Sequence, residues 1–242
     1  MRIGVIGDLH GIYPDTSNWP KLDLLLLGGD LFSDYRKSLY EVIAIQETEL
    51  LEKFNPWLEG INLPKKRKLF IGGNHDHILQ HYQKQAQEKV SATYLENSFV
   101  VVDGFKIWGT PYSFFPPKYP KPWSFGSSEE GLKILYESIP KDVDIVMSHT
   151  PAKGALDLGF GGSHMGMFNF GSVALKEFLD QNPFPLPKLK LFTVNHVHEH
   201  GTSQMDWTWW DAKEERRRKF KYVNAAADII YNPTQALTLV YI

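Results

Sequence analysis

The chain has 242 residues, enough for one α/β domain with a substantial hydrophobic core. Its formal net charge of -2 gives no overall positive field, so the composition does not favour a nucleic-acid-binding protein. Cysteine is absent, which excludes disulfides and thiolate metal sites and leaves nitrogen and oxygen ligands for any metal.

The beginning of the chain leads directly into an apolar run of strand length at residues 3–6. A signal peptide would need a longer apolar stretch followed by small residues, so we expect none. The other apolar runs are also far shorter than the roughly 20 residues that a membrane-spanning helix requires. We therefore expect a cytoplasmic protein that forms one domain over residues 1–242.

Five apolar runs of strand length each lead into a short polar motif. Continuous apolar runs bounded by glycine are typical of strands buried on both faces. In chain order the motifs are Asp8-Leu9-His10, Gly28-Gly29-Asp30, Gly73-Asn74-His75-Asp76, Ser148-His149-Thr150 and Asn195-His196-Val197-His198.

Helical patterns separate the runs at residues 38–59, 75–89, 129–138 and 172–181, with Ser172 as a predicted N-cap. A second group of strands, partly antiparallel, is predicted at 99–102, 105–108, 222–225 and 237–242. The buried stripe expected in the first helical pattern consists of Val42, Ile45, Leu50, Leu51, Phe54 and Leu58. Alternating strands and helices predict an α/β fold in which the motifs meet in one crevice.

The spacing inside two of the motifs favours metal binding. In an extended backbone, residues two apart point the same way, so Asp8 with His10 and His196 with His198 can each offer two ligands. Asp30 follows two glycines, which allow a tight turn, and its carboxylate can bridge two cations.

Asn74 and His149 complete the set with a carbonyl oxygen and an imidazole nitrogen. Such a mixed set suits two divalent ions of Mn, Fe, Zn, Ni or Co, whereas a calcium site would be all oxygen. Two such cations would outweigh the two carboxylates, attract an anion and lower the pKa of bound water.

The five motifs, in this order, resemble those of the calcineurin-like metallophosphoesterase superfamily: D-x-H, G-D, G-N-H-D/E, H and G-H-x-H. Within it, the segments 149–151, 154–157 and 222–225 resemble the small class III cyclic-nucleotide-phosphodiesterase-like and metallophosphoesterase-domain-containing branches. The resemblance implies a four-layer αββα sandwich with two mixed β-sheets.

The resemblance also implies roles for single residues. His75 would contact the phosphate and protonate the leaving oxygen, and Asp76 would orient His75 by a hydrogen bond. Manganese is the cation most expected to support activity in vitro. One metal would be held by Asp8, His10, Asp30 and His198, and the other by Asp30, Asn74, His149 and His196.

Asn195 departs from the family pattern, which has glycine at this position. We expect its side chain to narrow the site or add a hydrogen bond, and so to restrict substrate access. His164, in a glycine-rich stretch, is a second candidate for substrate contact, or else a loop residue without that role.

Three other groups have structural interpretations. His77 and His81 are predicted on a solvated helix face rather than as a metal pair. The aromatic insertion with Trp207, Trp209 and Trp210 is predicted to pack in a hairpin, although base stacking or a homodimer contact would use the same residues. The basic run 216–219 is expected to pair locally.

The sequence thus predicts a binuclear phosphodiesterase in which a metal-bridging hydroxide attacks a small or nucleotide-type phosphoester. One alternative is a phosphomonoesterase, acting on proteins or nucleotides at the same centre. Another is a nucleotide-binding protein of low turnover, for which Asn195 is the motivation. A nuclease would require a basic groove or a capping domain and is less favoured.

Overall fold

Two mixed β-sheets packed face to face form the centre of the fold, and helices cover their outer faces. The computed structural model describes residues 1–33, 37–115, 123–160, 166–227 and 237–242. His164, one of the predicted substrate contacts, lies outside the described residues. In the described part of the chain, none of the helices combines the length and the apolar character needed to cross a membrane.

Nine of the described strands lie at or close to the predicted runs, and the others were not predicted from such runs. They are β1 (Arg2–Ile6), β2 (Leu24–Leu27), β3 (Lys68–Phe70), β4 (Thr93–Tyr94), β5 (Ser98–Val102), β6 (Phe105–Thr110), β7 (Ser113–Phe114), β8 (Gly126–Ser127), β9 (Ile145–Ser148), β10 (Leu158–Phe160), β11 (Met167–Asn169), β12 (Leu191–Val194), β13 (Gln204–Asp211), β14 (Arg216–Asn224) and β15 (Thr238–Tyr241).

Among the described residues, the first sheet has the order β15-β1-β2-β3-β4, and the second has β13-β14-β12-β9-β6-β5. The inner strands of both sheets run parallel, whereas β15, β13 and β5 pair antiparallel with their neighbours at the edges. Of the predicted second group, β5, β6 and β14 lie in the second sheet, where β5 pairs antiparallel with β6, whereas β15 belongs to the first sheet. Small pairs, β7 with β8 and β10 with β11, lie outside the two sheets.

The helices are α1 (Leu39–Glu49), α2 (Asn55–Gly60), α3 (His77–His81), α4 (Gln83–Lys89), α5 (Glu129–Glu137) and α6 (Val173–Leu179). Ser172 caps α6 as predicted, since its hydroxyl accepts a hydrogen bond from the backbone N–H of Leu175. The predicted helix 38–59 contains one π-helical turn, Leu50–Phe54, between α1 and α2. The predicted helix 75–89 is divided at Tyr82, whose φ of -132° is not helical.

Three apolar clusters fill the spaces between the four layers. The cluster between the sheets includes Val5, Leu26 and Met147. A second packs α1 and the following turns, through Leu50 and Phe54, on the first sheet. The third packs α5 and α6 on the second sheet. The order helix, sheet, sheet, helix confirms the αββα sandwich that the family resemblance implies.

The aromatic insertion forms the hairpin of β13 and β14, as predicted. Trp207 is buried and its ring lies 6.1 Å from that of Phe220, whereas Trp210 is 53% exposed. The basic run pairs with nearby carboxylates: Arg218 with Asp211, and Lys219 with Asp206. Packing and local pairing thus explain this segment.

Candidate metal centre

The predicted ligands meet where the carboxyl ends of parallel strands from both sheets come together. Strands β1 and β2 pair in register, from Ile3 with Leu24 to Ile6 with Leu27, so the loops after them lie side by side. The Asp8 N–H donates to the carbonyl of Gly29 at 2.8 Å, and the Asn195 N–H donates to the carbonyl of His149 at 3.0 Å. Backbone hydrogen bonds therefore fix the spacing of loops that are distant in sequence.

Three groups of potential metal ligands lie in this crevice, and the ligand atoms of each group lie within 4.8 Å of one another. The groups overlap, because His10 and Asp30 each belong to two of them. They consist of Asp8 with His10 and His198, of His10 with Asp30 and His75, and of Asp30 with His149 and His196.

Several of the potential ligand atoms lie within about hydrogen-bond distance of one another. The Nε2 atoms of His10 and His198 are 3.3 Å apart, and the two rings are stacked. The Nε2 atom of His149 lies 3.0 Å from Oδ1 of Asn74 and 3.4 Å from Oδ2 of Asp30. A cation placed among these lone pairs would satisfy all of them.

Backbone carbonyls select the tautomer of two of the histidines. The Nδ1 atom of His149 is 2.9 Å from the carbonyl oxygen of Gly28, and that of His198 is 3.1 Å from the carbonyl oxygen of Ala227. With the proton on Nδ1, each ring presents the lone pair of Nε2 to the crevice. This outer hydrogen bond is the usual arrangement for a histidine that binds a metal.

The backbone is also strained at the ligands. Asp8, His10, Asp30 and His196 have φ values of 53°, 45°, 50° and 74°. Non-glycine residues rarely adopt this left-handed region, and such strain is concentrated at functional sites. The conformation differs from the extended backbone assumed for the D-x-H and H-x-H motifs, although each motif still brings its ligands together.

Burial and mutual charge shift the pKa values of the ligands strongly. Burial would raise the pKa of Asp30, but His149 and His75 hold it well below its ordinary value. Burial alone would lower the pKa of His149, but the Asp30 carboxylate raises it to about 9. Burial, followed by repulsion from His149, lowers the pKa of His196 to about 4. A proton on His149 thus occupies a position that a cation would take.

These features fit a centre for divalent metal ions. The ligand atoms are carboxylate, amide and imidazole groups, which together suit transition metals, and the carboxylates of Asp8 and Asp30 are almost fully buried. All seven predicted metal ligands belong to the described part of the chain and lie in this crevice. Their role as ligands stays a prediction.

His75 lies beside the ligands at the edge of the crevice. Its Nε2 atom is 3.8 Å from Oδ2 of Asp30, with 15% of the side chain exposed. The ring of Trp123 meets it edge-on at 4.8 Å between centroids. This placement is suited to a group that reaches a substrate held at the centre.

Asp76 makes different contacts from those predicted. Its Oδ1 atom accepts hydrogen bonds from the N–H groups of Leu31 and Phe32, and its Oδ2 atom accepts one from Gly73. The carboxylate therefore ties the Asp30 loop to the Asn74 loop rather than orienting the ring of His75. Its side chain does not cap α3 either, although Asp76 precedes that helix.

The side chain of Asn195 is fully buried and lies beside Gly7 and Gly28. A Cβ added to Gly28 would be 1.6 Å from Oδ1 of Asn195, so the amide occupies the space beside that glycine. The effect of Asn195 on substrate access stays a prediction.

The expectation of a solvated face for the histidines of α3 is half right. His81 is exposed, but His77 is buried, and its Nδ1 atom is 2.7 Å from the hydroxyl oxygen of Ser124. Because Phe125 N–H also donates to the side chain of Gln80, α3 anchors the segment that follows Trp123. This contact joins parts of the chain that no local pattern connects.

Two buried polar residues on α1 were missed by sequence reasoning. Gln46 and Glu49 occupy the inner face of α1, whereas Ile45 of the predicted stripe is half-buried and Leu51 is exposed. Gln46 and Glu49 lie four and seven residues after the buried Val42. This helical spacing places all three residues on one face and could have identified them. Their side chains bind the backbone of the loops that carry the site.

Aromatic rings border the site. The rings of Phe115 and Phe170 lie 6.3 Å and 6.4 Å from that of His196, and Phe115 stacks on Trp123. Carboxylates and imidazoles are the charged groups that most strongly shift the pKa values at the site, which are those of His10, Asp30, Asp76, His149 and His196. Within the described residues, neither lysine nor arginine is among the groups that most strongly shift these pKa values.

Comparison with known proteins agrees with this geometry. Metallophosphoesterase domain-containing protein 1 of Homo sapiens is 26% identical over 232 residues, covering 82% of this chain and 60% of that protein. Probable rhamnogalacturonate lyase C of Emericella nidulans is 30% identical over 221 residues, covering 86% of this chain and 18% of that protein. The chain therefore spans less than two thirds of the length of either relative.

A solved crystal structure covers 99% of this chain and 98% of its own, with a TM-score of 0.62 and 11% sequence identity, which shows a common fold. Residues 1–200 match the family described as calcineurin-like phosphoesterase. The family prediction is confirmed. The chain belongs to the calcineurin-like phosphoesterase family.

Proposed function

We propose that this chain is a metal-dependent phosphodiesterase with two cations at its centre, acting on a small or nucleotide-type phosphodiester. The observation that carries the proposal is the division of the ligands into two groups that share no residue: Asp8 with His10 and His198, and Asp30 with His149 and His196. The intermediate group, which contains both His10 and Asp30, makes Asp30 the natural bridge between them.

Two divalent cations at this centre would attract the phosphate and supply an activated water for attack on phosphorus. His75 is the candidate general acid, because it lies beside Asp30 with part of its ring exposed. From this position it can donate a hydrogen bond to a phosphoryl oxygen and then a proton to the leaving oxygen. Asp76 keeps the Asp30 and Asn74 loops in register while this occurs.

A diester is favoured over a monoester by the surroundings of the site. A monoester carries two negative charges, and proteins commonly bind such a group with arginine or lysine. Here three aromatic rings lie beside His196 or His75: Phe115, Trp123 and Phe170. Aromatic walls suit a singly charged phosphate that carries two organic groups, one of which can lie against a ring.

The proposal is tested by assaying the purified protein, supplied with manganese, on bis(p-nitrophenyl) phosphate and on p-nitrophenyl phosphate. We expect kcat/KM to be higher for the diester. A preference for the monoester would support a phosphomonoesterase on the same centre. Tight binding of a mononucleotide without turnover of either ester would support a low-turnover binding protein instead.

The residues are tested with matched variants. His198→Ala should abolish manganese-dependent turnover and lower the manganese content, whereas His200→Ala, in the same segment, should do neither. His75→Ala should retain the metal but lose turnover, with His81→Ala as its exposed control. Full activity of His198→Ala would rule out the proposed centre.

Cytoplasmic location, a homodimer contact through the aromatic insertion, and manganese as the cation that supports activity in vitro stay predictions.

A further inference from the structure

A fully buried glutamine on α1 binds the backbone of two loops at the site. Gln46 Nε2 donates to the carbonyl oxygen of His75 at 2.7 Å and to that of Ser33 at 3.2 Å. Its Oε1 atom accepts a hydrogen bond from the N–H of Ile78 at 3.0 Å. The side chain thus joins the loop after β2 to both ends of the turn between His75 and α3.

The chemistry of these contacts requires a carboxamide. Two carbonyl oxygens need donors and one N–H needs an acceptor, and the side chain of Gln46 supplies both kinds of group at one end. A carboxylate would have no hydrogen to donate, and an apolar side chain would leave three buried backbone groups without this partner. A buried position on a helix normally holds an apolar residue, so the presence of Gln46 at such a position indicates a specific role.

His75 is held by its backbone on both sides. Its N–H donates to Oδ1 of Asp30 at 2.8 Å, and its C=O accepts from Gln46. The Cα–Cβ direction, and therefore the place of the ring beside Asp30, depends on these two bonds. The first bond comes from a predicted metal ligand, whereas the second comes from a residue that lies outside the metal centre.

Glu49, one turn further along α1, has a separate task on the neighbouring loop. Its carboxylate accepts hydrogen bonds from the N–H and the hydroxyl of Ser33, at 3.0 Å and 2.7 Å. The same hydroxyl lies 3.1 Å from the carbonyl oxygen of His10. The contact of α1 with His75 is therefore made by Gln46 and can be removed without removing the contact with Ser33 through Glu49.

We propose that Gln46 is a positioning residue for His75: it fixes the backbone of His75 so that the imidazole can protonate the leaving oxygen. This inference rests on the proposed function, in which His75 is the general acid. Loss of the contact should misplace the acid but leave the metal ligands in place. The defect should then grow as the leaving oxygen becomes more basic, because a basic oxygen needs the proton more.

The experiment compares wild type, Gln46→Met and the control Gln83→Met on two diesters with manganese. Gln83 is an exposed glutamine on α4 whose side chain donates to Glu96. Bis(p-nitrophenyl) phosphate has a leaving group that needs little protonation, whereas diphenyl phosphate has a more basic one. For Gln46→Met, we expect kcat to fall about 10–100-fold on diphenyl phosphate and less than about threefold on the nitrophenyl ester.

The KM values and the manganese content of Gln46→Met should equal those of wild type, and Gln83→Met should behave as wild type throughout. In a His75→Ala background, Gln46→Met should cause no further loss on either ester. If Gln46→Met does not fold, Gln46→Asn, which keeps the carboxamide on a shorter side chain, should give the same dependence on the leaving group.

Equal losses on both esters, loss of bound manganese, or a further loss in the His75→Ala background would each overturn the positioning role. Absence of turnover by the wild-type protein on either diester is a different result. It would overturn the proposed phosphodiesterase itself, and with it the role of Gln46.

Discussion

The fit between Asn195 and Gly28 gives a sharp prediction about stability. A Cβ on Gly28 would lie 1.6 Å from Oδ1, 2.3 Å from Cγ and 2.8 Å from Nδ2 of Asn195, and these are the three atoms nearest to it. Asn195 is fully buried. Gly28→Ala should therefore destabilise the protein by about 3 kcal/mol or more, at the upper end of the usual cost of overpacking.

Removing the asparagine side chain should remove most of this cost. Asn195→Gly alone introduces a glycine, whose greater backbone entropy in the unfolded chain costs about 1 kcal/mol. It also removes two buried polar atoms that lack a hydrogen-bond partner among the described residues, and their removal offsets part of that cost. In the Asn195→Gly background, Gly28→Ala should cost less than about 1 kcal/mol. The coupling free energy between the two positions is then about 2–3 kcal/mol.

The assay is urea denaturation of the metal-free protein, followed by circular dichroism, for the wild type, both single variants and the double variant. Gly60→Ala serves as the control in both backgrounds, because an added Cβ there meets nothing within 4 Å. If Gly28→Ala alone does not fold, recovery of folded protein by the double variant gives the same information. An equal cost of Gly28→Ala in both backgrounds would refute the packing argument.

Three further predictions follow from the site and the core. Metal binding near pH 7.5 should release protons, because Asp30 raises the pKa of His149 to about 9 in the metal-free protein and a histidine ligand must be neutral. The part of the release that comes from His149 should fall as the pH rises through 9; calorimetry in two buffers of different ionisation enthalpy measures it, and heats that are independent of the buffer would contradict the assignment. Asp76→Asn should cost about 1–3 kcal/mol of stability and weaken manganese binding, because the amide cannot accept all three N–H bonds of the carboxylate. Exposed Asp15→Asn is its control in urea denaturation, and equal effects of the two variants would count against the contact. Trp207→Ala should cost about 3–5 kcal/mol because the ring is buried against Phe220, whereas Trp210→Ala should cost far less. Thermal unfolding compares them, and similar melting temperatures would exclude the packing described for the hairpin.

The sequence by itself identified the inner strands of both sheets and the polar side chains that follow several of them. Runs such as Leu24–Leu27 are buried on both faces, and that burial is visible in an unbroken apolar pattern. The motifs are local as well, since each ligand directly follows its strand. Parallel strands in adjacent register place the loops of each sheet at one edge. The convergence of Asp30 with His149 depends in addition on the packing of the two sheets, because β2 and β9 lie in different sheets.

Only the tertiary structure decided the tasks of the residues that hold those loops in place. Asp76 binds the N–H groups of Leu31 and Phe32, Asn195 lies beside Gly28, and Gln46 on α1 binds the carbonyl of His75. Each of these contacts joins residues far apart in the chain. A local pattern reports which face of an element is buried, but the identity of a polar partner depends on how distant elements pack.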